Sequence, residues 1–583
     1  MANFFEDNAD IRFLFDHLDL RRIAHEREDG FADAGDANDS YAPVDVDDAI
    51  DNYRRILTIA GDVAANGIAP RAEHVDLEGN ALNDDGTVTL SEGTRKNLAV
   101  LTQADLMGFT LPRKYGGLNC PTSVYMMAIE MVSRADASLM NLFGLQSISE
   151  TIHAYADDDI KKEYLPKFAA GQVTGAMALT EPDAGSDLQS VALRAWQDED
   201  GQWRLTGVKR FITNGCGDVL LTLARSEPDI NDGRGLSFFV VDRGPRLKVR
   251  RLEEKLGIHG SPTCELVYDD TPAKLVGERQ LGLIRYTMSL MNGARLGIAA
   301  QSLGIAEAAY RVARQYAHTR QQFGRPIEKL PAVAEMVVDM QVAIEAARAL
   351  VYETACLCDL ENNNQRIIET NPPSDKDEAK RRKQDARVFK RLSGMLTPMS
   401  KYYASEMCVR VANDALQVLG GSGYMKDYPV ERLLRDARIT TIYEGTTQLQ
   451  IVAAVRGVCN GAFEKRVSTL EGHEYFDTTL NELKAKLSDG KQLVLDGIAF
   501  VKTKGVDYMD LYGRKLVDAA VAVLVGHLLL QQAVDNERRR LVVKRFVERN
   551  HPHIQADMDL LRSGDVSAMS QYEAIAGPVP VAG

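Results

Sequence analysis

The feature of this chain that most constrains its fold is a block of short β-forming segments with helical patterns on both sides. Runs rich in β-branched and aromatic residues occupy positions 208–213, 220–224, 236–241 and 266–268. Asp200 with Gly201 predicts a tight hairpin turn within this block. About 100 residues of this pattern favour a small antiparallel barrel or sheet.

Helical patterns precede and follow the β-forming block. Before it, Ile50, Tyr53 and Leu57 recur at the spacing of one helix face. After it come small residues that let neighbouring helices approach closely, namely Ala294, Ala299, Ala300, Gly304 and Ala306. Near the end, a further helix face is formed by Leu516, Ala520, Val523 and Leu524. Residues 362–382 are polar and predict a surface insertion between two long helices.

Length and composition indicate a globular protein of more than one domain. A chain of 583 residues is too long for one ordinary core, so about two to four packed domains are expected. With 45% hydrophobic and 26% charged residues, the composition is that of a soluble globular protein. The net charge of −14 and the pI near 5.4 argue against a nucleic-acid surface, which needs a basic stripe.

The cysteines, histidines and termini give no sign of a metal site or of export. The 7 cysteines lack the spacing of a zinc site or of a disulfide framework, so free thiols in a reducing compartment are expected. His551 and His553 lack further ligands, so no metal is predicted. The acidic start is unlike a signal peptide, and the most apolar segment, 516–530, is shorter than the roughly 20 residues that span a bilayer. We therefore expect a cytoplasmic protein with no integral membrane segment.

The stretch 435–450, RDARITTIYEGTTQLQ, places one carboxylate between an aromatic residue and a glycine. If Tyr443 and Ile442 make the surroundings of Glu444 apolar, burial raises the carboxyl pKa toward the range of a general base. Gly445 allows another molecule to approach closely. A capped helix followed by a polar turn is the alternative reading of the same residues.

Five segments together resemble the acyl-CoA dehydrogenases, FAD enzymes that desaturate an acyl thioester between its α and β carbons. One is the stretch around Glu444, which resembles the catalytic segment of that family. The others are MALTEPDAGSD at 177–187, RFITNG at 210–215, RQQFGRP at 320–326 and QVLGGSG at 417–423. All five occur in the order found in the family.

The resemblance implies an α+β fold with three domains and a further helical part. We expect an N-terminal helical domain, a central small antiparallel β-barrel or sheet domain, a C-terminal four-helix-bundle domain and an extra helical C-terminal extension. The expected boundaries are 1–48 for an acidic N-terminal extension, 49–173 for the N-terminal helical domain, 174–281 for the β domain, 282–460 for the helical bundle with an insertion around 360–384, and 461–583 for the C-terminal extension. This arrangement resembles the longer branch of the family.

The resemblance also implies which residues bind the cofactor and the substrate. The FAD contacts it implies are Met177, Leu179, Thr180, Phe211, Ile212, Thr213, Arg320, Gln322, Phe323, Gln417, Gly420, Gly421, Thr446 and Gln448. The substrate contacts it implies are Ser186, Asn292, Arg295 and Gly445. Phe211 stands where the family often has Trp, and Asn292 stands where Asp is common.

Glu444 is the catalytic residue that the resemblance implies. A minority of the family supplies its base from the helix position that Ala294 occupies here, and alanine cannot accept a proton. The implied reaction is the FAD-dependent α,β-dehydrogenation of an acyl-CoA to the 2-enoyl-CoA, in which Glu444 removes the α proton and the β hydride passes to flavin N5. The backbone N–H of Glu444 and a ribityl hydroxyl of FAD polarise the thioester carbonyl.

The implied partners are acyl-CoA, an electron-transferring flavoprotein that takes the electrons, and further copies of the chain. The segments at 320–326 and 417–423 resemble contacts to the FAD of a neighbouring subunit, so a homodimer or homotetramer is expected. Two alternatives remain open: an acyl-CoA oxidase that uses oxygen, and a non-catalytic flavoprotein that binds acyl-CoA or DNA.

The acyl chain and the role of the tail are left open by the sequence. An apolar acyl pocket is indicated by Leu139, Met140, Leu142 and Phe143. Met140 stands where the glutaryl-CoA branch has an arginine, which disfavours a dicarboxyl substrate unless Arg113 or Arg134 takes that role. We interpret one basic cluster as a solvated helix face rather than as a DNA or membrane contact. It consists of Arg538, Arg539, Arg540, Lys544 and Arg545.

Overall fold

The structure is a computed structural model that describes residues 2–35, 41–370 and 372–580. The chain forms two compact units. The main unit comprises Met1–Ser393 and Ser400–Thr447, and the C-terminal unit comprises Gly394–Met399 and Gln448–Gly583. Asp36 and Asp39 of the expected acidic extension lie outside the described residues.

The main unit begins with a helical region, as the sequence predicts. Its helices are α1 (Ala9–His17), α2 (Leu20–Arg27), α3 (Val46–Asp62), α4 (Ala72–Glu78), α5 (Glu92–Gln103), α6 (Thr122–Ala135), α7 (Ala137–Leu145), α8 (Ile148–Tyr155) and α9 (Asp158–Ala169). A short hairpin, β1 (Ala81–Leu82) with β2 (Val88–Thr89), precedes α5. Asn8, Asp19 and Asp45 start the first three helices, because their side chains accept hydrogen bonds from backbone N–H groups of the first turn.

The N-terminal helices are part of the core of the main unit. Ile11, Leu14 and Phe15 of α1 are at most 2% exposed. Asp10, on the same helix, pairs at 3.2 Å with Arg348, a fully buried cation that also pairs with Glu130 and Glu307. Because a buried charge is costly unless it is paired, these contacts tie the start of the chain to the helices that follow.

The central region is a β domain. Its strands are β3 (Gly175–Ala178), β4 (Arg194–Gln197), β5 (Trp203–Thr213), β6 (Val219–Arg225), β7 (Leu236–Asp242), β8 (Leu247–Leu252) and β9 (Thr263–Leu275). Their order is β3-β6-β4-β5-β9-β7, β8 adds to β9, and the pairing of β6 with β7 closes the sheet into a barrel-like form. The four predicted runs fall within β5, β6, β7 and β9, and the predicted hairpin joins β4 to β5 with Gly201 at φ 77°.

The sheet is not antiparallel throughout. β3 pairs with β6 in parallel, from Gly175 with Val219 to Ala178 with Thr222. A single pair, Arg194 with Arg225, also joins β4 to β6 in parallel. Parallel neighbours need a long connection, which the intervening strands β4 and β5 provide for β3 and β6.

A second helical region completes the main unit. Its helices are α10 (Met288–Thr319), α11 (Pro331–Thr370), α12 (Lys376–Leu419), α13 (Gly421–Tyr424) and α14 (Val430–Ile439), and α15 (Thr447–Cys459) begins at its last residue. A hairpin, β10 (Gln321–Gln322) with β11 (Arg325–Pro326), follows α10. The polar segment predicted as an insertion is mostly helix, because α11 runs to Thr370 and Asp375 caps the start of α12.

The small residues of α10 allow a close approach to α6. A Cβ atom on Gly304 would lie 2.3 Å from the carbonyl oxygen of Glu130 on α6. Ala299 and Ala300 on the same helix are fully buried. This contact fixes α10, the helix that carries Arg295, against the N-terminal helical region.

The C-terminal unit is helical. After α15 come α16 (Ala462–Glu471), α17 (Thr478–Lys504), α18 (Val506–Leu511), α19 (Gly513–Gln532), α20 (Glu537–Arg562), α21 (Ser567–Ser570) and α22 (Tyr572–Ala576). The predicted apolar face at Leu516, Ala520, Val523 and Leu524 lies on α19 and is buried. The basic cluster is not a purely solvated face, because Arg539 is 4% exposed and donates to Gln532, while Arg540 pairs with Asp477. In the part of the chain that the structure describes, no helix is both long and apolar enough to cross a membrane.

Candidate active site

Glu444 lies in the turn that joins α14 to α15. Its backbone is left-handed, with φ at 54°, and Gly445 follows with φ at 96°. The turn is closed by backbone hydrogen bonds from Tyr443 to Ile439 (3.2 Å) and from Thr447 to Thr441 (3.0 Å). A capped helix with a polar turn is therefore the correct local description. The same turn holds the Glu444 side chain half-buried.

Two cations approach the Glu444 turn from neighbouring helices. Arg295 on α10 donates from Nε to the backbone carbonyl of Glu444 at 3.4 Å, and its guanidinium also bonds the side chain of Asn292 at 3.2 Å. Burial raises the pKa of Glu444, and the charges of Arg295 and Lys401 oppose that rise. A carboxylate with a raised pKa is a stronger base, which is the property that α-proton removal needs.

Lys401 is the site residue that the sequence analysis missed. It lies on α12, is 0% exposed, and donates from Nζ to the carbonyl oxygen of Gly445 at 2.8 Å. Burial lowers its pKa to about 7, although Glu444 and Glu406 act in the opposite direction. The available signal was its helical spacing, since Lys401 precedes the buried residues Ala404 and Cys408 by three and seven positions on one face of α12.

A buried polar network lies next to the Glu444 turn. The Tyr443 hydroxyl donates to Gln301 on α10, which donates in turn to Asn141 on α7 at 3.2 Å. Asn141 donates to the hydroxyl of Ser261 at 3.2 Å. Ile442 is 45% exposed. The surroundings of Glu444 are therefore more polar than the apolar environment that Tyr443 and Ile442 predicted.

Helix α14 is anchored to the β domain, which fixes the start of the Glu444 turn. The Asp436 carboxylate accepts a hydrogen bond from the backbone N–H of Ile258 at 2.5 Å. The approach is close, because a Cβ atom on Gly257 would lie 2.6 Å from the backbone of Arg435. Arg435 also pairs with Asp76 at 2.7 Å. The turn that carries Glu444 is therefore held by the β domain, by α10 and by α12.

The two segments of the β domain that are expected to contact FAD lie side by side. The backbone N–H of Arg210 donates to the carbonyl of Thr180 at 2.9 Å. The buried Lys209 ammonium donates to the carbonyl of Leu179 at 2.7 Å and to Glu181 at 2.8 Å. These bonds bring 177–187 and 210–215 to one place on the β domain.

The groups exposed there fit a flat cofactor with polar edges. Phe211 is 54% exposed, Thr180 and Thr213 are half-buried, and Ser186 is exposed. An exposed aromatic ring offers an apolar face to a flat ring system, and the neighbouring hydroxyl groups can donate or accept hydrogen bonds at a polar edge. Leu179 and Ile212 are at most 7% exposed, so they support the surface from below, and Met177 is half-buried.

Six more of the expected FAD contacts form a second cluster at the far end of α10. Arg320, Gln322 and Phe323 lie in or beside the β10–β11 hairpin, and the Phe323 ring is 88% exposed. The exposed residues at the end of α12 and the start of α13 are Gln417, Gly420 and Gly421. The Tyr316 hydroxyl links the two parts by donating to Ser422 at 3.3 Å. Because a helix rises 1.5 Å per residue, this cluster is ~38 Å along the helix from Arg295.

Other predicted residues are placed as follows. Thr446 is half-buried in the Glu444 turn, whereas Gln448 is exposed and belongs to the C-terminal unit. The residues expected at the acyl pocket are at most 3% exposed, namely Leu139, Met140, Leu142 and Phe143. Arg113 pairs with Glu28 and Arg134 with Asp7, so neither of these cations is available for an acyl carboxylate.

Sequence comparison matches three domain profiles to this chain. Profiles of the acyl-CoA dehydrogenase N-terminal, middle and C-terminal domains match residues 51–172, 176–271 and 296–448. An acyl-CoA dehydrogenase of Bacillus subtilis (strain 168) is 40% identical over 353 residues. That alignment covers 59% of this chain and 84% of the relative. The matched profiles include the Glu444 turn and both β-domain segments.

Solved structures show the same fold. A structure concerned with the electron transferring flavoprotein of Acidaminococcus fermentans matches with a TM-score of 0.60 and 31% identity, covering 70% of this chain and 97% of that one. An acyl-CoA dehydrogenase of Bacillus anthracis complexed with FAD matches with a TM-score of 0.75 and 23% identity, covering 91% of this chain and 92% of that one. The second match covers enough of this chain to extend into the C-terminal unit. The chain therefore belongs to the acyl-CoA dehydrogenase family of FAD-dependent oxidoreductases, which act on acyl-CoA thioesters.

Proposed function

We propose that this protein dehydrogenates an acyl-CoA to the 2-enoyl-CoA, with Glu444 as the base that removes the α proton. The observation that carries the proposal is the half-buried Glu444 carboxylate in a turn held by α10 and α12. Burial raises its pKa, and two nearby cations oppose the rise. A carboxylate whose pKa is raised in this way is a stronger base than a free carboxylate.

The geometry of α10 supports Glu444 over the alternative base position. Ala294 occupies the position from which some relatives supply the base, and it has no group that can accept a proton. Its neighbour Arg295 contacts the backbone of Glu444 instead. In this protein α10 therefore serves the Glu444 turn rather than providing a second carboxylate.

The thioester carbonyl must be polarised before a carboxylate can remove the α proton. We assign this role to the backbone N–H of Glu444, whose left-handed conformation turns the peptide out of the helical pattern. Loss of one such donor costs about 3 to 4 kcal/mol in comparable sites. Gly445 leaves room for the thioester, and Asn292 and Arg295 line the same side of the turn.

The cofactor residues divide into two groups. Phe211, Thr180 and Thr213 would hold the reacting ring, and the bound FAD supplies the acceptor for the β hydride. The cluster at Arg320 and Gly420 lies ~38 Å along α10 from Arg295. We propose that this cluster binds the FAD of another copy of the chain, in a homodimer or homotetramer.

The electrons that leave the substrate need an acceptor. We propose an electron-transferring flavoprotein, which the match to a structure concerned with such a protein supports. An acyl-CoA oxidase is the alternative. Rapid reoxidation of the reduced protein by oxygen, in the absence of an electron-transferring flavoprotein, would favour the oxidase.

The function is tested by anaerobic titration of the FAD-loaded protein with a panel of acyl-CoAs. The panel includes short, branched, cyclic and aromatic-bearing acyl chains, because the residues of α7 near the site do not define which acyl chain is bound. We expect one class to bleach the flavin absorbance in stoichiometric amount and to yield the enoyl-CoA. Failure of every acyl-CoA to bleach the flavin would overturn the proposed reaction.

A further inference from the structure

We propose that Lys401 is a positioning residue for the proton transfer. Through its hydrogen bond to the Gly445 carbonyl it holds the catalytic turn, and through its positive charge it keeps Glu444 in the carboxylate form. The inference rests on the proposed role of Glu444 as the base. It adds a residue that neither the resemblance nor the sequence pattern assigns.

The burial of Lys401 requires an explanation. Its side chain is 0% exposed, and a buried ammonium is costly unless it is paired and hydrogen-bonded. An apolar residue of similar size on α12 would pack there at lower cost. The contact that the ammonium does make, 2.8 Å to the oxygen of Gly445, is with the residue directly after Glu444.

The turn that Lys401 contacts needs support from its surroundings. Glu444 has a left-handed backbone, which a residue with a side chain rarely adopts and which persists only when neighbouring groups hold it. Arg295 donates to the carbonyl of Glu444, and Lys401 donates to the carbonyl of Gly445. Glu406, also on α12, accepts a hydrogen bond from the hydroxyl of Thr447 at 2.6 Å. Two helices thus fix the turn on both sides of the carboxylate.

The charge of Lys401 affects the ionisation of Glu444. The charged groups that act on Lys401 are Glu444, Glu406 and Arg295. Burial lowers the pKa of Lys401 to about 7, so it carries its charge mainly below that pH. The charge stabilises the carboxylate form of Glu444 and lowers its pKa. Without it, the Glu444 carboxyl would hold its proton to a higher pH.

Two substitutions separate the hydrogen bond from the charge. Lys401→Met removes both, whereas Lys401→Gln keeps an N–H donor without the charge. Lys380→Met is the matched control, because Lys380 lies on the same helix and is exposed. Bound FAD and the melting temperature, measured for each variant, show whether it is folded. The readout is the rate of anaerobic flavin reduction by acyl-CoA between pH 5 and pH 9.

We expect Lys401→Met to lower the limiting rate by about 10- to 100-fold, because the base is no longer held in place. We also expect its acid limb to move upward by about one pH unit, because the nearby positive charge is lost. Lys401→Gln should show the same shift of the acid limb with a smaller loss of rate. Lys380→Met should match the wild type.

The failures are distinguishable. Suppose that acyl-CoA bleaches the flavin of the wild type but not that of Glu444→Gln. If both Lys401 variants then match the wild type, only the inference about Lys401 is overturned. It is also overturned if the rates fall equally at every pH with no shift of the acid limb, which is the result for a purely structural lysine. If no acyl-CoA bleaches the wild type, the proposed function is overturned and the inference with it.

Discussion

At the residue scale, burial changes the ionisation of several groups in and beside the Glu444 turn. It raises the pKa of Glu444, lowers that of Lys401 to about 7, and raises that of Asp436 to about 7. Asp436 lies on α14 and holds the loop of Ile258 through a hydrogen bond. A change of pH near neutrality therefore changes the charge of Lys401 and of Asp436, two residues that hold the turn of the proposed base.

The Asp436 carboxyl makes the stability of the main unit depend on pH. The folded pKa of Asp436 is about 7, above the usual aspartate value of about 3.9. The contribution of this group to stability is therefore fully present below about pH 3.9, and it is lost as the pH rises through about 7. Asp436→Asn stays neutral at every pH. We expect the free energy of unfolding of the variant, relative to that of the wild type, to increase on the order of 2 kcal/mol when the pH is raised from 5 to 8. Thermal unfolding at both pH values measures the difference.

Asp84→Asn is the control for this comparison, since Asp84 is exposed in the same unit. Its effect on melting temperature should be the same at both pH values. A constant difference between Asp436→Asn and the wild type would show that Asp436 does not titrate in this range.

Glu444 is predictable from the sequence because its segment is local, whereas Lys401 is not. The turn at 435–450 contains both its carboxylate and its glycine, so the resemblance identifies it directly. Lys401 is more than 40 positions earlier, and its burial arises only when α12 packs beside the turn. The polar partners of Tyr443 were missed for the same reason, because Gln301 and Asn141 come from two other helices.

At the element scale, α10 positions the site by packing closely on α6. A Cβ atom on Gly304 would lie 2.3 Å from a backbone oxygen of α6, whereas one on Gly293 would meet no atom within 4 Å. Both glycines lie in the same helix. The sequence predicted a close approach from the run of small residues, and the structure confirms it at Gly304.

Gly304→Ala should therefore destabilise the main unit, by about 1 to 3 kcal/mol, because the added methyl forces the two helices apart. Gly293→Ala is the matched control and should be neutral or stabilising by up to about 1 kcal/mol, since alanine favours the helix. Chemical denaturation of both variants measures the free energy of unfolding. Equal effects of the two substitutions would contradict the proposed close packing.

The strands show how far local pattern predicts the elements. The predicted runs correspond to the longer strands β5, β6, β7 and β9. The strands β3 and β8 were missed, and β4 was predicted only as an arm of the hairpin; these strands have 4 to 6 residues each. Short strands of this kind are specified by their partners, as in the parallel pairing of β3 with β6, rather than by their own sequence.

At the scale of the whole molecule, the expected FAD contacts form two clusters, one on the β domain and one at the far end of α10. Arg320 is ~38 Å along α10 from Arg295. The Phe323 ring is 88% exposed on the hairpin beside it. These observations support an assembly in which each chain completes the cofactor site of another. The five-part division of the chain and its cytoplasmic location stay predictions.

Phe323→Asp tests this assembly. The side chain is exposed, and Asp tolerates the left-handed backbone of this position, where φ is 52°. We expect an unchanged fold by circular dichroism, a smaller mass by light scattering, and at least about tenfold weaker FAD binding through loss of a desolvated aromatic contact. An unchanged mass with full FAD occupancy would contradict the shared cofactor site.

The central claim, that Glu444 removes the α proton, is tested most directly by rapid-mixing reduction of FAD-loaded Glu444→Gln with an acyl-CoA that bleaches the wild type. Glu464→Gln, at an exposed position, is the control. We expect the Glu444 variant to bind the acyl-CoA and retain FAD, but to reduce it at least about 1,000-fold more slowly, since the amide cannot accept the proton. Reduction of Glu444→Gln at the wild-type rate would contradict the role of Glu444.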